Sequence, residues 1–283
     1  MASPRMTALL LLAAAASPLL SLAAPLAATC TKAELLAAAD AYVAAQTSGN
    51  ISALAAFAGP DGWKYEQNNQ PANPSSPASV LTKPLKIDHR RTNTDLVQCA
   101  TYTELISVSG PYVIGTQIHH SPSNPSKIAL IDSIASTTGS WLFNAAKTLS
   151  YVRMETWAPI PEAKRDSREL IKAVGDAYLD TWSNATAHLT IPWGTPCRRI
   201  EGGEYTGTGA PTDTCAVGIP SNHSQLPNTR RRYVIDEEMG SVSILCVWEH
   251  MMNAADSHEF RLENGKLRYV HTMTECGGRT CRL

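Results

Sequence analysis

Glu34-Leu35-Leu36-Ala37-Ala38-Ala39-Asp40-Ala41-Tyr42-Val43 is echoed in the second half of the chain by Glu169-Leu170-Ile171-Lys172-Ala173-Val174-Gly175-Asp176-Ala177-Tyr178-Leu179. One inserted residue aligns the two stretches, and the Asp-Ala-Tyr core is kept. Each half also closes on a comparable run, Lys127-Ile128-Ala129-Leu130-Ile131-Asp132 and Lys266-Leu267-Arg268-Tyr269-Val270-His271. A duplicated helix-then-sheet unit restricts the fold, and with it the places where a pocket lies.

Around the first copy, Thr31 with Glu34 three residues on forms a capping pattern that starts a helix over 32–46. Its buried face is expected to carry Leu35, Leu36, Ala39, Tyr42 and Val43. A short second helix over 51–57 and a strand over 63–67 follow. Residues 85–90 fit either a helix or a sheet strand. One strand is expected over 95–107, with Leu96, Cys99 and Tyr102 turned inward, then an antiparallel pair over 112–120 and 127–135. His119-His120 precedes a turn and reads as exposed.

Residues 141–165 join the halves, with Pro159 and Pro161 at the boundary. Asp166 or Ser167 caps the second helix, whose expected stripe is Leu170, Ile171, Val174, Tyr178 and Leu179. The Gly/Pro/Thr-rich stretch 202–218 reads as a long loop over a second pocket. Runs at 232–235, 241–248, 257–262 and 266–274 complete a second sheet, with Asn264-Gly265 as a hairpin turn. The expected class is α+β: two tandem cone-shaped barrels, each a curved antiparallel sheet wrapped on N-terminal helices. A single larger barrel is the alternative.

The N-terminus reads as an export signal. Arg5 supplies a positive n-region, 9–22 is an apolar stretch too short for a membrane span, and Ala23, Ala24, Ala27 and Ala28 suit a cleavage site. The expected division is a signal peptide over 1–28, a first domain over 29–158 and a second over 159–283. The mature protein is then expected in the secretory lumen or outside the cell, without a membrane span. About 255 residues remain, enough for two domains of roughly 100–150 each.

A net charge of −1 argues against a nucleic-acid partner. The basic run Arg230-Arg231-Arg232 lies close to Asp236-Glu237-Glu238 and reads as a locally neutralised hairpin. A homodimer is compatible with the sequence. Seven cysteines in an exported chain read as disulfides with one thiol left over. Cys30 with Cys99 and Cys197 with Cys215 are the expected pairs, while Cys246, Cys276 and Cys281 stay unassigned. Asn50, Asn184 and Asn222 head glycosylation triplets.

The helix ending in Asp40-Ala41-Tyr42, the stretch Trp63-Lys64-Tyr65-Glu66-Gln67-Asn68-Asn69 and the closing strand through Asp132 resemble the nuclear transport factor two-like (SnoaL, ketosteroid isomerase) cone. Lys86-Ile87-Asp88-His89-Arg90, Pro192-Trp193-Gly194-Thr195-Pro196-Cys197, Glu201-Gly202-Gly203 and Leu267-Arg268-Tyr269-Val270-His271-Thr272-Met273 resemble a group of exported fungal proteins carrying two such domains. The resemblance covers nearly the whole mature chain. It implies natural-product biosynthesis, because members of that group include hetero-Diels-Alderases that join a tropolone quinone methide to humulene. The chain departs from the pattern at Cys246 and at the tail from Cys276 to Cys281.

Within the repeat, Asp132 and His271 take the same place on the two closing strands. Asp132 shares a strand face with Leu130 and Ile134, and His271 with Tyr269 and Met273. A polar group there is either satisfied structurally or lines a pocket. His258, in phase with Phe260 and Leu262 on the adjacent strand, is expected beside His271. As a metal pair these two histidines lack a third ligand, so no metal is expected. Asp88-His89-Arg90-Arg91 is either a solvated turn or a substrate anchor at a pocket mouth. Trp63, Tyr65 and Asn68 offer an aromatic wall with hydrogen bonding, as do Trp193 and Tyr205 in the second half, with Tyr269 nearby.

No nucleophile elbow, His-Glu-x-x-His or dinucleotide fingerprint is present. The expected activity is a cofactor-independent cycloaddition on a small apolar polyketide or terpenoid substrate, with His271, His258, Asp132 and His89 as candidate catalytic groups. A secreted binding protein without turnover, or a proton-shuttling isomerase or dehydratase, is the alternative.

Overall fold

The computed structural model describes residues 29–219 and 225–282. The expected signal segment and the Asn222 acceptor lie outside the described residues. Helix α1 (Lys32–Ser48) precedes strands β1 (Lys64–Gln67), β2 (Gln70–Pro71), β3 (His89–Asp95), β4 (Ala100–Ser107), β5 (Tyr112–Ser121) and β6 (Asn124–Thr137). Helices α2 (Ala145–Val152) and α3 (Arg168–Asp180) lead into β7 (Trp193–Glu201), β8 (Glu204–Tyr205), β9 (Asn228–Asp236), β10 (Ser241–Trp248), β11 (Ala254–Glu263) and β12 (Lys266–Glu275).

Both sheets have six strands in one order: β2-β1-β6-β5-β4-β3 and β8-β7-β12-β11-β10-β9. In each, one pairing is parallel, β1 with β6 and β7 with β12, and the rest are antiparallel. The class is α+β with a repeated sheet unit. The repeat is simpler in the helices than the sequence suggests. Thr31 and Ser167 are the N-caps, and Leu35, Ala38, Ala39 and Tyr42 are buried like Ile171, Val174, Gly175 and Tyr178. The offset is constant, so no inserted residue is needed, and Glu34 is matched by Leu170 rather than Glu169. Gly175 lets α3 approach its sheet closely, since a Cβ there would lie 2.9 Å from Ile244 Cδ1.

Alternation gives each sheet two covered faces. Tyr42 and Leu54 pack with Tyr65, Leu105, Ile114, Ile118 and Ile131 on one side of the first sheet. Tyr178 and Trp182 pack with Ile244, Phe260, Leu262 and Val270 on one side of the second. The opposite faces meet through Tyr102, Ile106, Val113, Ile134, Val234, Leu245 and Met273, with Leu149 and Val152 of α2 closing the edge. The layers therefore run helix, sheet, sheet, helix.

A reciprocal exchange stitches the edge strands β3 and β9. Asp95 accepts a hydrogen bond from Ile235 N at 2.9 Å, and Asp236 accepts one from Thr94 N at 2.7 Å. Asp95 also receives both Nη atoms of Arg168, the first residue of α3, at 2.9 and 2.6 Å. One buried carboxylate thus ties the second helix and the second sheet to the first sheet.

Several expectations change. The strand expected over 95–107 begins only at Ala100 as β4, because Asp95 ends β3 and accepts from Val97 N and Gln98 N in a turn. That turn leaves Leu96 exposed. Residues 85–90 are neither helix nor strand until His89 opens β3. The join contains α2, capped by Asn144. The second sheet gains β7 and β8: the Pro-Trp-Gly-Thr-Pro-Cys segment, given no element from the sequence, opens a strand, and β8 falls within the expected 202–218 loop. Leu170 is exposed, since the start of α3 turns it away from the sheet, and His120 is buried with Nδ1 on Pro125 O.

Disulfides join Cys30 to Cys99, Cys197 to Cys215 and Cys276 to Cys281, and Cys246 is a buried free thiol. Three disulfides fit folding in an oxidising compartment. Among the described residues, no helix is long and apolar enough to cross a membrane. Asn50 and Asn184 are exposed.

Replacing Asp95 with Ala strands the Arg168 guanidinium and the Ile235 amide together. Urea unfolding should show a loss of roughly 3 kcal/mol. Arg90→Ala breaks an exposed pair with Asp40 and should cost less than about 0.5 kcal/mol in the same assay.

Candidate functional site

Strand register fixes which residues occupy matched places in the two sheets. Reading across the first sheet, Asp132 opposes Gln117, Gln117 opposes Tyr102, and Tyr102 opposes Asn93. Across the second, His271 opposes Glu259, Glu259 opposes Ser243, and Ser243 opposes Val234. Asp132 and His271 are therefore equivalent, as are Arg91 and Arg232, two residues before Asn93 and Val234. All four face the seam between the sheets. One end of the seam holds a single carboxylate–arginine pair drawn from both sheets: Arg232 Nε lies 2.5 Å from Asp132 Oδ2. Burial pushes the Asp132 carboxyl up, against the pull of Arg232.

The other end of the seam holds a larger group, also drawn from both sheets. His271 Nδ1 lies 2.9 Å from Glu104 Oε1, and Nε2 lies 2.7 Å from Glu155 Oε2. Arg91 Nη2 reaches Glu259 Oε2 at 2.5 Å and Glu104 Oε2 at 2.9 Å. Asn93 Nδ2 donates to Glu259 Oε1. These groups come from β3, β4, β11, β12 and the segment after α2. With His271 protonated, three carboxylates face two cations.

That protonation follows from the surroundings. Desolvation lowers the His271 pKa, but Glu155 and Glu104 outweigh it and the nearby Arg91, so the imidazole is pushed up to about 10. Glu104 shows the converse. Burial would raise it, yet Arg91 and His271 hold it well below the usual carboxylate range.

Aromatic groups roof the cluster. Trp157 lies with its ring 3.8 Å from the Arg91 guanidinium carbon, 5.6 Å from the Tyr269 ring in a stacked pose, and 5.7 Å from His271. Its Nε1 donates to Glu155 Oε2 at 2.8 Å. Arg261 lies on the same indole, its guanidinium carbon 5.1 Å from the ring, and donates to Ala158 O. A cleft of about 200 Å³ lined by Ala158, Pro159, Lys164, Arg261 and Glu263 opens alongside. The roof from Glu155 to Pro161 has no regular secondary structure.

The structure sorts the sequence candidates. It brings together His271, Tyr269 and His89, whose Nε2 lies 3.5 Å from Glu104 Oε2. The quartet at 88–91 is neither a solvated turn nor a pocket mouth: it leads into β3, and Arg91 is buried. His258 is not beside His271. His258 opposes Thr272 while Glu259 opposes His271, which puts the two imidazoles on opposite faces of the second sheet.

Tyr65 is core, its OH donating to Gln67 Oε1 at 2.9 Å, and Trp63 packs edge-on against it. Asn68 is a turn residue at φ 52° whose Oδ1 accepts from Ala135 N. Trp193 packs against Tyr178, and its Nε1 donates to His188 O at 3.2 Å. Tyr205 stacks on Tyr151 and donates to Asp213 Oδ2, so these two do not form one wall. The Arg230-to-Arg232 run is neutralised, but by Glu66, Asp176, Asp180 and Asp132 rather than by Asp236-Glu237-Glu238.

Sequence reasoning missed Arg91 as a buried anchor, together with Glu104, Glu155, Trp157 and Glu259. For Glu104 the signal was present, since it alternates in phase with Tyr102 and Ile106 on an otherwise uncharged strand.

Residues 164–274 match a family model described as a domain of unknown function (DUF8021), which covers the second sheet and α3 but not the first sheet. No curated protein matches the chain.

The raised His271 pKa gives a pH test. Its pairing stabilises the fold fully below the unfolded value of about 6.5 and is lost as pH rises through about 10. Urea midpoints of the wild type should fall across that alkaline window. His271→Gln, less stable overall, should show a flatter profile there.

Proposed function

We propose that this protein is a secreted enzyme that joins a planar conjugated carbonyl compound to an alkene, without forming a covalent bond to substrate. By resemblance, the electron-poor partner is a tropolone quinone methide and the alkene a sesquiterpene such as humulene. The reading places the chain among exported fungal proteins with two tandem cone domains. The observation that carries it is His271 held between Glu104 and Glu155 beside Arg91, under the indole of Trp157 and the ring of Tyr269.

The chemistry needs two things from the protein. The first is orientation of diene and alkene, which can lower a barrier by up to ~7–11 kcal/mol. Flat aromatic walls at Trp157 and Tyr269 suit a planar conjugated ring. The second is polarisation of the carbonyl. An imidazolium held by Glu104 on Nδ1 presents Nε2–H as a donor, now turned to Glu155. In a hetero-Diels-Alder step one C–C and one C–O bond form together while π bonds shift, so no proton leaves His271. The donor stabilises charge building on oxygen.

The cleft of about 200 Å³ is smaller than the roughly 300 Å³ lower bound of ordinary ligand pockets. Substrate access therefore requires the 155–161 roof to move. That motion takes Glu155 off Nε2 and frees the donor for a substrate oxygen.

Incubating the full chain with a tropolone quinone methide precursor and humulene tests the reading. Adduct should form faster than in buffer, and His271→Ala should reduce the rate by about 10²-fold. Adduct forming equally fast without protein would defeat the proposal.

A further inference from the structure

His258 stands apart from the seam, on the helix-covered face of the second sheet. Its Nδ1 lies 2.9 Å from Asp256 Oδ2, and Cys246 Sγ lies 3.6 Å from the same oxygen. One ligand atom from each of the three falls within 4.8 Å of the others, and all three side chains are buried. Thr274 Oγ1 donates to Asp256 Oδ1 at 2.7 Å, which turns Oδ2 toward the cysteine and the histidine.

Two further observations point to a ligand. His258 is 3% exposed, yet neither ring nitrogen has a hydrogen-bond partner. Nδ1 approaches the carboxylate closely without a hydrogen bond's geometry, as atoms do when both face a common third point. The internal repeat supplies the second observation. By register the matched positions in the first sheet are Leu105, Ile114 and Thr116. The scaffold closes there without an acid, an imidazole or a thiol, so folding does not demand them in the second sheet.

We infer that Cys246, Asp256 and His258 bind one borderline divalent cation, Zn²⁺ by ligand preference, with a fourth position left for water. Sulfur, nitrogen and carboxylate oxygen together match zinc better than magnesium or calcium, which take oxygen sets. In a tetrahedral site with bonds of about 2.0 Å to N or O and 2.3 Å to S, ligand atoms sit roughly 3.3–3.5 Å apart. The observed 2.9 and 3.6 Å need only small shifts. Asp256 and a Cys246 thiolate would balance the dication. Binding displaces the Cys246 thiol proton to solvent.

Among the described residues, the other His-carboxylate group with ligand spacing, Glu104, Glu259 and His271, is a poor rival. Arg91 Nη2 sits within 2.5 to 3.0 Å of all three side chains and already supplies the positive charge.

The full chain, stripped with a chelator and titrated with Co²⁺ as a spectroscopic probe, tests the site. Equimolar Co²⁺ should give a thiolate-to-cobalt charge-transfer band and tetrahedral ligand-field bands, both abolished by Zn²⁺. Cys246→Ser should lose the charge-transfer band, and Thr274→Val, which leaves every ligand in place, should weaken Co²⁺ binding about tenfold. His271→Ala should bind as the wild type does. Zn²⁺ should also raise the thermal midpoint of the unmutated chain. The inference is overturned if wild type shows no charge-transfer band and no Zn²⁺-dependent stabilisation, or if the band survives in Cys246→Ser.

Discussion

Arg91 sits where two sheets meet, and its charge constrains everything around it. A guanidinium buried to 9% exposure is tolerable only with carboxylates at hydrogen-bond distance. Its own sheet supplies Glu104, but the bidentate partner Glu259 belongs to the other sheet. Neither half can separate without leaving a desolvated ion behind. The approach of β3 to β11, the inward turn of His271 and the docking of the 155–161 roof all serve that one cation. Asp95 repeats the logic at the rim, where one carboxylate serves a helix, a strand and a turn.

The two sheets share one strand order, but their side chains along the seam are asymmetric. Both sheets put an arginine at the same place, Arg91 and Arg232, and both give it an acid across the seam. Past that point they differ. Glu104 is matched by Leu245, Glu259 by Gln117 and His271 by Asp132, so one end of the seam is crowded with charge and the other holds a single ion pair. On the helix-covered faces the imbalance favours the second sheet, where Cys246, Asp256 and His258 replace Leu105, Ile114 and Thr116. A scaffold repeated in one chain serves as its own reference.

The parts of the fold that depend on neighbours in sequence were legible. Thr31 with Glu34 and Ser167 announce their helices, because capping is settled within four residues. The pairs Cys30–Cys99 and Cys197–Cys215 also emerge from the sequence. The third, Cys276–Cys281, did not, since nothing in its spacing separates it from a pairing with Cys246. Strand phase was legible too: His271 does share a face with Tyr269 and Met273. The pairing of His258 with His271 failed for a different reason. Each phase was right within its strand, but a register offset of one residue between β11 and β12 turns adjacent positions to opposite faces.

The amino-acid sequence by itself determined the repeated helix-and-sheet unit, its helix caps and the side-chain phase of its closing strands, because these arise from short-range geometry and periodicity. Only the tertiary structure decided that Arg91, Glu104, Glu155, Glu259 and His271 meet. They lie on five separate segments, and charged residues in a sequence ordinarily read as solvated surface. Burial turned them into a site, and burial is a property of the packed sheets rather than of any stretch of chain.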